Sequence, residues 1–293
     1  ADNGLFDMSL NVFEEKSFLF NTNIDRLWFS YEKGNFNAKI GRQRINWGQC
    51  FVWNPNDIFN TYSFFDFDYP EKPGSDAIRL QYYTGFASSV ELAVKADKDK
   101  NVTAAFLGRF NKWDYDFQFL GGVLNSEDMV IGAGWAGNIK GAGFRGEMTY
   151  LRPTDNFADT TGTFIASVSS EYMFSNSLMI QFEYLYHGLD TDITDFYSFY
   201  EGTLSVKKLS FTEHNIFGQV SYPITPLLNG TFSAMYYPEI DGYYLGPSFD
   251  YSLSDNLSAT FFVQLFSGEF PDATGEVARQ DFRLGFLRIK WNF

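Results

Sequence analysis

Hydrophobic and polar residues alternate along most of this chain, in segments of about ten residues. In one of the cleanest segments, Leu178, Ile180 and Phe182 would share one face while Gln181 and Glu183 share the other. Successive side chains of a β-strand point to opposite faces, so this period of two predicts strands with one apolar face. The same period recurs in Ile78–Tyr82, Val90–Lys95, Val102–Phe110, Tyr115–Leu124, Ala142–Leu151, Ile216–Tyr222 and Ala259–Leu265.

The connections between these segments alternate between tight and long. Tight turns are predicted at Lys33–Asn35, Thr84–Gly85, Asn111–Trp113, Asn138–Lys140, Ser175–Asn176, Pro223–Pro226 and Ser254–Asn256. Longer or more acidic connections fall around Trp47–Gly74, Lys95–Asn101, Asn125–Asp128, Arg152–Gly162, Gly188–Ser210, Glu239–Gly242 and Ser267–Ala278. Outer-membrane β-barrels have this asymmetry, because their periplasmic turns are short and their extracellular loops are long. A soluble β-sandwich would explain the alternation but not the two kinds of connection.

The predicted fold is therefore all-β: a transmembrane antiparallel up-and-down β-barrel that occupies residues 1–293 as a single domain. Counting Leu5–Phe13 as the first strand gives about sixteen strands. If that segment is instead a plug or part of a strand, the count becomes about fourteen, since bacterial single-chain barrels keep even numbers.

The segment Leu287–Phe293 alternates up to an aromatic residue at the end of the chain. It resembles the C-terminal signal of Gram-negative outer-membrane β-barrels, which the barrel-assembly machinery reads. The resemblance implies that Trp291 and Phe293 belong to this assembly signal. It also implies an integral, multi-pass protein of the outer membrane, in contact with outer-membrane lipid and lipopolysaccharide. The opening Ala1–Gly4 is what we expect of a mature chain whose leader has been removed.

Composition narrows the function. Aromatic residues make up 20% of the chain, yet the mean hydropathy is −0.22 and no apolar run approaches the ~18 residues that a membrane-spanning helix needs. The formal net charge is −14, which disfavours nucleic acid as a partner. With a single cysteine, Cys50, and two histidines, we expect no disulfide, no metal and no cofactor.

If the apolar faces contact lipid, the opposite faces line the lumen and carry charges of both signs. The predicted pore-lining and selectivity residues are Lys39, Arg42, Arg44, Arg79, Arg109, Arg145, Glu147 and Glu183. Two interpretations of this lumen remain open. The favoured one is that most of its carboxylates and cations pair with each other and stiffen the wall. In the other, an arginine-rich lane steers anions or hydroxyl-rich solutes through a constriction.

One dense motif, Gly41–Gly48, continues into Trp53–Asn60 and an aromatic, acidic stretch. It resembles the early strand of several porin-like outer-membrane families, in which Gly-Arg-Gln and a nearby Trp-Gly precede a long loop rich in Asn, Pro and Asp. The resemblance implies a porin-like barrel and does not indicate the solute.

The alternation places Arg42 and Arg44 on the lipid face, where an arginine at mid-membrane costs about 2–4 kcal/mol. A bulge at Gly41 would shift the register and turn both side chains into the lumen, and we favour this hypothesis. The alternative places both arginines at the level of the outer headgroups, where lipid phosphates can pair with them.

The connection Trp47–Gly74 is too long for a hairpin turn and is rich in aromatic residues. We expect it to fold inward as a constriction or plug, or to cap the mouth. The residues predicted to form this constriction are Trp53, Asn54, Asp57, Phe59, Phe65 and Asp68. The acidic run Asp66–Glu71 does not have the spacing of an EF-hand, so a solvated loop edge is favoured over a Ca²⁺ site.

The function favoured by these patterns is a porin-like channel for passive diffusion of small hydrophilic solutes, with anions preferred if the arginine lane is real. The alternative is a non-conducting structural or accessory barrel in a larger envelope complex, and a homo-oligomer is compatible with both. A barrel hydrolase that uses His187 or His214 at the rim is less favoured, since the chain has no Gly-x-Ser-x-Gly elbow. We therefore predict that the protein is not an enzyme.

Overall fold

The computed structural model describes residues 4–15, 18–61, 64, 74–155, 157–188, 205–271 and 276–292. These residues form seventeen β-strands: β1 (Ser9–Glu15), β2 (Phe18–Asn23), β3 (Leu27–Lys33), β4 (Phe36–Gln43), β5 (Ser75–Gly85), β6 (Ser88–Ala96), β7 (Val102–Lys112), β8 (Tyr115–Leu124), β9 (Asp128–Ile139), β10 (Ala142–Pro153), β11 (Thr163–Met173), β12 (Met179–His187), β13 (His214–Thr225), β14 (Leu228–Tyr237), β15 (Gly242–Ser254), β16 (Leu257–Pro271) and β17 (Val277–Trp291). Short 3-10 turns occupy Val206–Lys208 and Pro238–Ile240.

Strands β3 to β17 form one fifteen-stranded sheet in which every strand pairs with its sequence neighbours. All of these pairings are antiparallel, so the predicted all-β, up-and-down fold is confirmed. The segment Leu5–Phe13, predicted to begin the barrel, instead contributes β1 to a separate hairpin with β2. Within the described residues, no helix combines the length and apolar character needed to cross a membrane.

The predicted alternation of connections is also confirmed. Two-residue turns follow β3, β5, β7, β9, β13 and β15, and a five-residue turn follows β11. The strands between them up to β16 are followed by connections of three to thirty-one residues. Local chemistry supports the tight turns, since Trp113 and Asp114 have φ of 56° and 61° and Lys140 and Gly141 have φ of 50° and 89°. Two successive positive φ values suit the twist of a two-residue hairpin. The sheet therefore has a tight-turn end and a long-connection end.

The two edges of the sheet are β3 and β17. Odd-numbered strands of the sheet run from the long-connection end to the tight-turn end, so β3 and β17 run in the same direction. Those two edges cannot pair antiparallel with each other. An even number of strands permits such closure, and the fifteen strands of this sheet lie between the predicted count of about sixteen and the alternative of about fourteen.

The outer face of the sheet is apolar and exposed. Side chains in mid-strand positions on this face include Ile78, Leu92, Phe106, Phe182 and Leu287, which are 44–69% exposed. Contiguous apolar surface on this scale is rare in soluble monomers and matches a surface that contacts lipid.

The inner face is buried and mixes apolar with polar side chains. Its apolar members, which include Leu107, Leu120, Ile165, Leu185 and Phe217, form the core together with residues of the long connection after β4. Its polar members are as deeply buried and include Glu91, Gln118, Glu147, Ser167 and Glu183. The polar residues of the strands therefore share the buried face with apolar ones, whereas a soluble sandwich places its polar residues on the outer face.

This arrangement predicts the effect of a charge on the outer face. Replacing Leu92, at the middle of β6, with Lys should lower the free energy of unfolding by about 2–4 kcal/mol, because the ammonium would lie in hydrocarbon. The measurement is equilibrium guanidinium unfolding of the protein refolded into lipid vesicles.

The matched control is Phe86→Lys in the tight turn between β5 and β6. Phe86 is fully exposed and should lie at the membrane surface, so its replacement should cost only about 0–1 kcal/mol. Equal losses for the two variants would show that Leu92 does not face hydrocarbon.

Candidate functional site: the lumen loop and the polar layer

Residues 44–61, which we call the lumen loop, leave β4 and lie against the concave inner face of the sheet. Glu147 on β10 fixes the first part of this loop. Its carboxylate accepts backbone N–H groups from Gln49, from Cys50 at 2.8 Å and from Asn56 at 2.9 Å. Glu147 is 1% exposed, so these donors replace the water that a buried carboxylate loses.

Glu183 on β12 fixes the next three residues of the loop in the same way. It accepts the backbone N–H groups of Phe51 at 2.9 Å, Val52 at 3.0 Å and Trp53 at 2.7 Å. The hydroxyl of Ser167 donates a further hydrogen bond at 2.9 Å. Glu147 and Glu183 therefore satisfy six consecutive or nearby loop amides that would otherwise be buried without partners.

A third carboxylate, Glu91 on β6, holds the start of the loop through a side chain. The indole Nε1 of Trp47 donates to Glu91 at 2.7 Å, and the amide of Gln118 donates to the Trp47 carbonyl at 2.7 Å. Arg79 completes this group through an ion pair with Glu91 at 2.7 Å. The loop is thus attached to β6, β8, β10 and β12.

Two glycines on β9 let the loop approach the wall closely. A Cβ on Gly132 would lie 2.6 Å from the Asn56 side-chain oxygen, and one on Gly134 would lie 2.8 Å from the Gln49 side-chain oxygen. Asn56 fills the space with hydrogen bonds to the carbonyl of Ala133 at 2.9 Å and from Thr149 at 2.7 Å. A glycine in a strand interior often marks such a close approach.

Aromatic contacts anchor the loop to both sides of the wall. The ring of Trp47 packs edge-on against Phe59 at 4.8 Å, and Trp53 packs edge-on against Phe217 at 6.4 Å. Farther along the chain, Phe64 contacts Phe217 at 5.2 Å. These pairs complete an apolar core that fills much of the lumen toward the long-connection end.

Of the predicted constriction residues, Trp53, Asn54, Asp57 and Phe59 are buried in the loop, at 5, 6, 0 and 2% exposure. Phe65 and Asp68 lie outside the described residues, as does the acidic run Asp66–Glu71. Cys50 is also buried. Burial, then the nearby carboxylates of Glu147 and Glu183, raise the pKa of its thiol well above the usual value.

Below the lumen loop, toward the tight-turn end, the inner face becomes polar. Every second residue of a strand shares a face. The next inward-facing residue toward the tight-turn end is Arg145 below Glu147 on β10, Gln181 below Glu183 on β12 and Gln219 below Phe217 on β13. We call the inward-facing residues at this depth the polar layer; those used below are Lys39, Arg79, Arg109, Arg145, Gln181, Gln219, Ser221, Asn229, Thr231 and Ser233.

Two of the predicted selectivity arginines are neutralised by carboxylates in this layer. Arg79 pairs with Glu91, and Arg145 pairs with Glu171. Arg145 also stacks over the ring of Phe51 at 4.3 Å, so it supports the lumen loop from below. The pairing of cations with carboxylates along the wall thus accounts for part of the inward-facing charge.

Arg109 and Lys39 differ from these two arginines. Arg109 is half-buried and its Nε lies 3.4 Å from the Gln118 side-chain oxygen, while the Lys39 ammonium lies 4.1 Å from the centre of the Trp28 ring. Among the described residues, neither cation makes an ion pair with a carboxylate. Both side chains lie on the inner face without a direct carboxylate partner, and Glu91, Asp116 and Glu147 act on Arg109 only from a longer distance.

Arg42 is buried in a structural ion pair. Its guanidinium contacts Asp76 at 2.8 and 3.0 Å and the Phe6 carbonyl at 2.6 Å. Gly41 has φ of 117°, but the pairing of β4 with both neighbours continues through it without a shift. The favoured hypothesis of a bulge at Gly41 is therefore wrong. Arg44 is exposed just beyond the end of β4.

The remaining predicted residues occupy other parts of the chain. His187 is fully buried at the end of β12. His214 lies at the start of β13, where its Nδ1 is 2.7 Å from the Tyr184 hydroxyl. Trp291 is the last residue of β17 and is 65% exposed, whereas Phe293 lies outside the described residues. The side chains of His187, His214 and Trp291 belong neither to the lumen loop nor to the polar layer.

Removing one of the carboxylates that bind the loop amides should release the lumen loop. The chemical accessibility of Cys50 can measure this release. Glu147→Ala leaves three buried loop amides without an acceptor, so Cys50 should become accessible. We expect its rate of maleimide labelling in vesicles to rise by about tenfold or more, which corresponds to the loss of roughly 1.4 kcal/mol of closing free energy.

Asp116→Ala serves as the control, since Asp116 is an exposed carboxylate that bonds Asn111 at 2.8 Å rather than the loop. Its labelling rate should match that of the unmodified protein. Slow labelling in both Glu147→Ala and Glu183→Ala would mean that the carboxylates do not hold the loop in place.

Comparison with known proteins finds solved structures that have a similar fold. No protein-family model and no curated protein matches the sequence. Among solved structures, Pseudomonas aeruginosa OccK11 (OpdR) has a TM-score of 0.58 at 12% identity, with 94% of this chain and 84% of that chain covered. Pseudomonas aeruginosa OccK8 (OprE) has a TM-score of 0.52 at 9% identity, with 89% and 79% covered. The outer membrane channel DcaP of Acinetobacter baumannii has a TM-score of 0.42 at 13% identity, with 94% and 87% covered. The first two similarities, which extend over most of each chain, show that this chain shares the all-β antiparallel fold of those two proteins.

Proposed function

We propose that this protein is a porin-like channel of a Gram-negative outer membrane that passes small hydrophilic solutes and prefers anions. The observation that carries the proposal is the polar layer beneath the lumen loop, where Arg109 and Lys39 lie inside an apolar exterior without a direct carboxylate partner. In a barrel with only a structural role, two inward-facing cations without carboxylate partners would lower the free energy of unfolding, because burying an uncompensated charge is costly. Water and mobile anions can compensate these cations in an open lumen.

The apolar outer face supports the proposed location. Lipid tails would cover Leu92, Phe106 and Phe182, while exposed aromatics at strand ends, such as Trp113 and Trp291, suit the membrane interface. The proposed partners are outer-membrane lipid and lipopolysaccharide, and the barrel-assembly machinery during biogenesis. The resemblance of the last strand to the assembly signal supports that route.

The lumen loop would set the size limit for solutes. It crosses the inner face from Glu91 on β6 to Phe217 on β13, so it occupies space that the strands alone would leave open. A barrel of about sixteen strands is otherwise wide enough for an aqueous channel. The proposed channel is therefore narrow and suited to small solutes. We assign no catalytic role to any residue.

A second candidate, a non-conducting barrel within a larger envelope complex, has one observation in its favour. The apolar core formed by Trp47, Trp53 and Phe59 with the wall is as well buried as the core of a soluble domain. If this core seals the lumen, the polar layer would be a water-filled pocket open only at the tight-turn end. Such a barrel would act through its surface or through partner proteins.

Planar-bilayer recording of the purified protein distinguishes the two candidates. Discrete conductance steps, with a reversal potential displaced toward the anion under a salt gradient, would support the channel. A silent bilayer that contains correctly folded protein would overturn it. In that case, co-purification of a stable partner in mild detergent would support the accessory barrel.

The unequal neutralisation of the arginines predicts unequal effects on selectivity. Arg109→Ala removes an unpaired cation, so the anion-to-cation permeability ratio should fall by about twofold or more. Arg79→Met combined with Glu91→Gln removes a neutral ion pair, and the glutamine can still accept the Trp47 indole N–H. This double variant should therefore change the ratio less than Arg109→Ala does. The measurement is the reversal potential under a KCl gradient.

Arg279→Ala provides a matched control. Arg279 is an exposed arginine on β17 that pairs with Asp241 at 2.8 Å outside the polar layer, so its removal should leave the ratio unchanged. An unaltered ratio in Arg109→Ala would exclude Arg109 from the conduction path.

A further inference from the structure

Strands β12, β13 and β14 carry a set of uncharged hydrogen-bonding side chains in the polar layer. They differ from the basic side chains that β4–β10 contribute to the same layer. Gln219 donates to the Gln181 side-chain oxygen at 2.6 Å, and Ser233 donates to the Gln219 side-chain oxygen at 2.8 Å. Nearer the tight turns, the hydroxyls of Ser221 and Thr231 lie 3.1 Å apart. We call these five residues and Asn229 the amide–hydroxyl ladder.

The ladder extends around the wall across three neighbouring strands and along the wall over two tiers. Gln181 and Gln219 are register partners, as are Gln219 and Ser233. One step closer to the tight-turn end, Ser221 pairs with Thr231, and Asn229 reaches both from below at 3.3 and 3.4 Å. The result is two successive tiers of polar groups along the axis of the lumen.

Charge is absent from this part of the wall. On β12, β13 and β14, which the structure describes completely, no inward position beyond Glu183 toward the tight turns carries a charged side chain. The basic side chains Lys39, Arg79, Arg109 and Arg145 lie on β4 to β10 instead. The uncharged part of the polar layer is therefore confined to β12–β14, because Glu171 on β11 and Asp250 on β15 are the register partners of Gln181 and Asn229.

The ladder has hydrogen-bonding capacity left for a ligand. A glutamine amide offers two N–H donors and an oxygen with two lone pairs, and Gln181 and Gln219 each use only part of this capacity in the bonds above. Except for Ser233, the ladder residues are half-buried, so water or solute can reach them. Hydroxyl groups can both donate and accept, and so they match such a mixed surface better than a carboxylate or an ammonium does.

We propose that the solute carried by this channel is a polyhydroxylated monoanion of the sugar-acid class. Its hydroxyl groups would exchange hydrogen bonds along the amide–hydroxyl ladder, while Arg109 and Lys39 attract its carboxylate. The inference rests on the proposed channel function and adds the chemical class of the solute.

The experiment uses three probes of similar length that separate charge from hydroxyl groups. Gluconate carries both, sorbitol carries the hydroxyl groups alone, and hexanoate carries the carboxylate alone. Each is added to the purified channel in a planar bilayer, and the dwell time of current blockades is measured. Gluconate should dwell longer than either other probe, by about two- to tenfold, which is the size of effect that one or two net hydrogen bonds produce.

Two variants locate the contributions. Gln219→Met removes the centre of the ladder at similar side-chain volume, so it should shorten the gluconate blockade toward that of hexanoate and leave hexanoate unchanged. Arg109→Met should shorten the gluconate blockade toward that of sorbitol and leave sorbitol unchanged. Gln81→Met is the matched control, since Gln81 lies on β5 outside the ladder, and it should retain the discrimination between gluconate and hexanoate.

The outcomes separate this inference from the channel itself. If the protein conducts but gluconate and hexanoate block it for equal times, the sugar-acid inference is overturned and the channel stands. Equal times for gluconate and sorbitol would likewise overturn it, because the carboxylate would then play no part. If the protein does not conduct, the proposed function itself fails.

Discussion

The arrangement of the lumen depends on two buried carboxylates that accept backbone N–H groups of a loop. Glu147 and Glu183 each cost free energy when removed from water, and the six loop amides have no helix or strand to satisfy them. Each group supplies what the other lacks: the amides solvate the charges, and the charges hold the loop at the wall. Because the donors are backbone N–H groups, these hydrogen bonds depend on the backbone conformation of the loop and not on the identity of its side chains. The position of the loop then sets where the apolar core ends and the polar layer begins.

Much of the fold could be predicted from the sequence, because the signals that specify it are local. A period of two fixes which side chains share a face, and turn chemistry such as Lys140–Gly141 fixes where strands reverse. The segment Leu5–Phe13 shows where local signals fail. It forms a strand, but its partner is β2 alone, and the choice between hairpin and barrel depends on pairing with distant strands that alternation does not encode.

The candidate site was predictable in its orientation but not in its contacts. Alternation places Glu147 and Glu183 on the inner face, yet their partners are amides about 91 to 132 residues earlier in the chain. Backbone donors leave no side-chain pattern, and Gly132 and Gly134 were the one local sign of a close approach. The contacts of Arg42 could not be predicted for a related reason. Its alternation phase indicates lipid, whereas Asp76 and the carbonyl of Phe6 cover it, so burial resolves a conflict for which the sequence suggested a bulge.

The same distinction between orientation and contact applies to the charges of the lumen. Counting arginines along the wall treats them as equivalent, but a guanidinium 2.7 Å from a carboxylate presents little net charge to a solute several ångströms away, since the two fields largely cancel. Arg79 and Arg145 therefore act mainly on their own surroundings, the one beside Trp47 and the other beneath Phe51. Arg109 and Lys39 have no such direct partner and so contribute more to the field in the lumen, while β12–β14 present uncharged hydrogen-bonding groups below Glu183. A solute that uses both sides must carry charge and hydroxyl groups together, and this requirement links the architecture of the wall to the chemistry of what passes it.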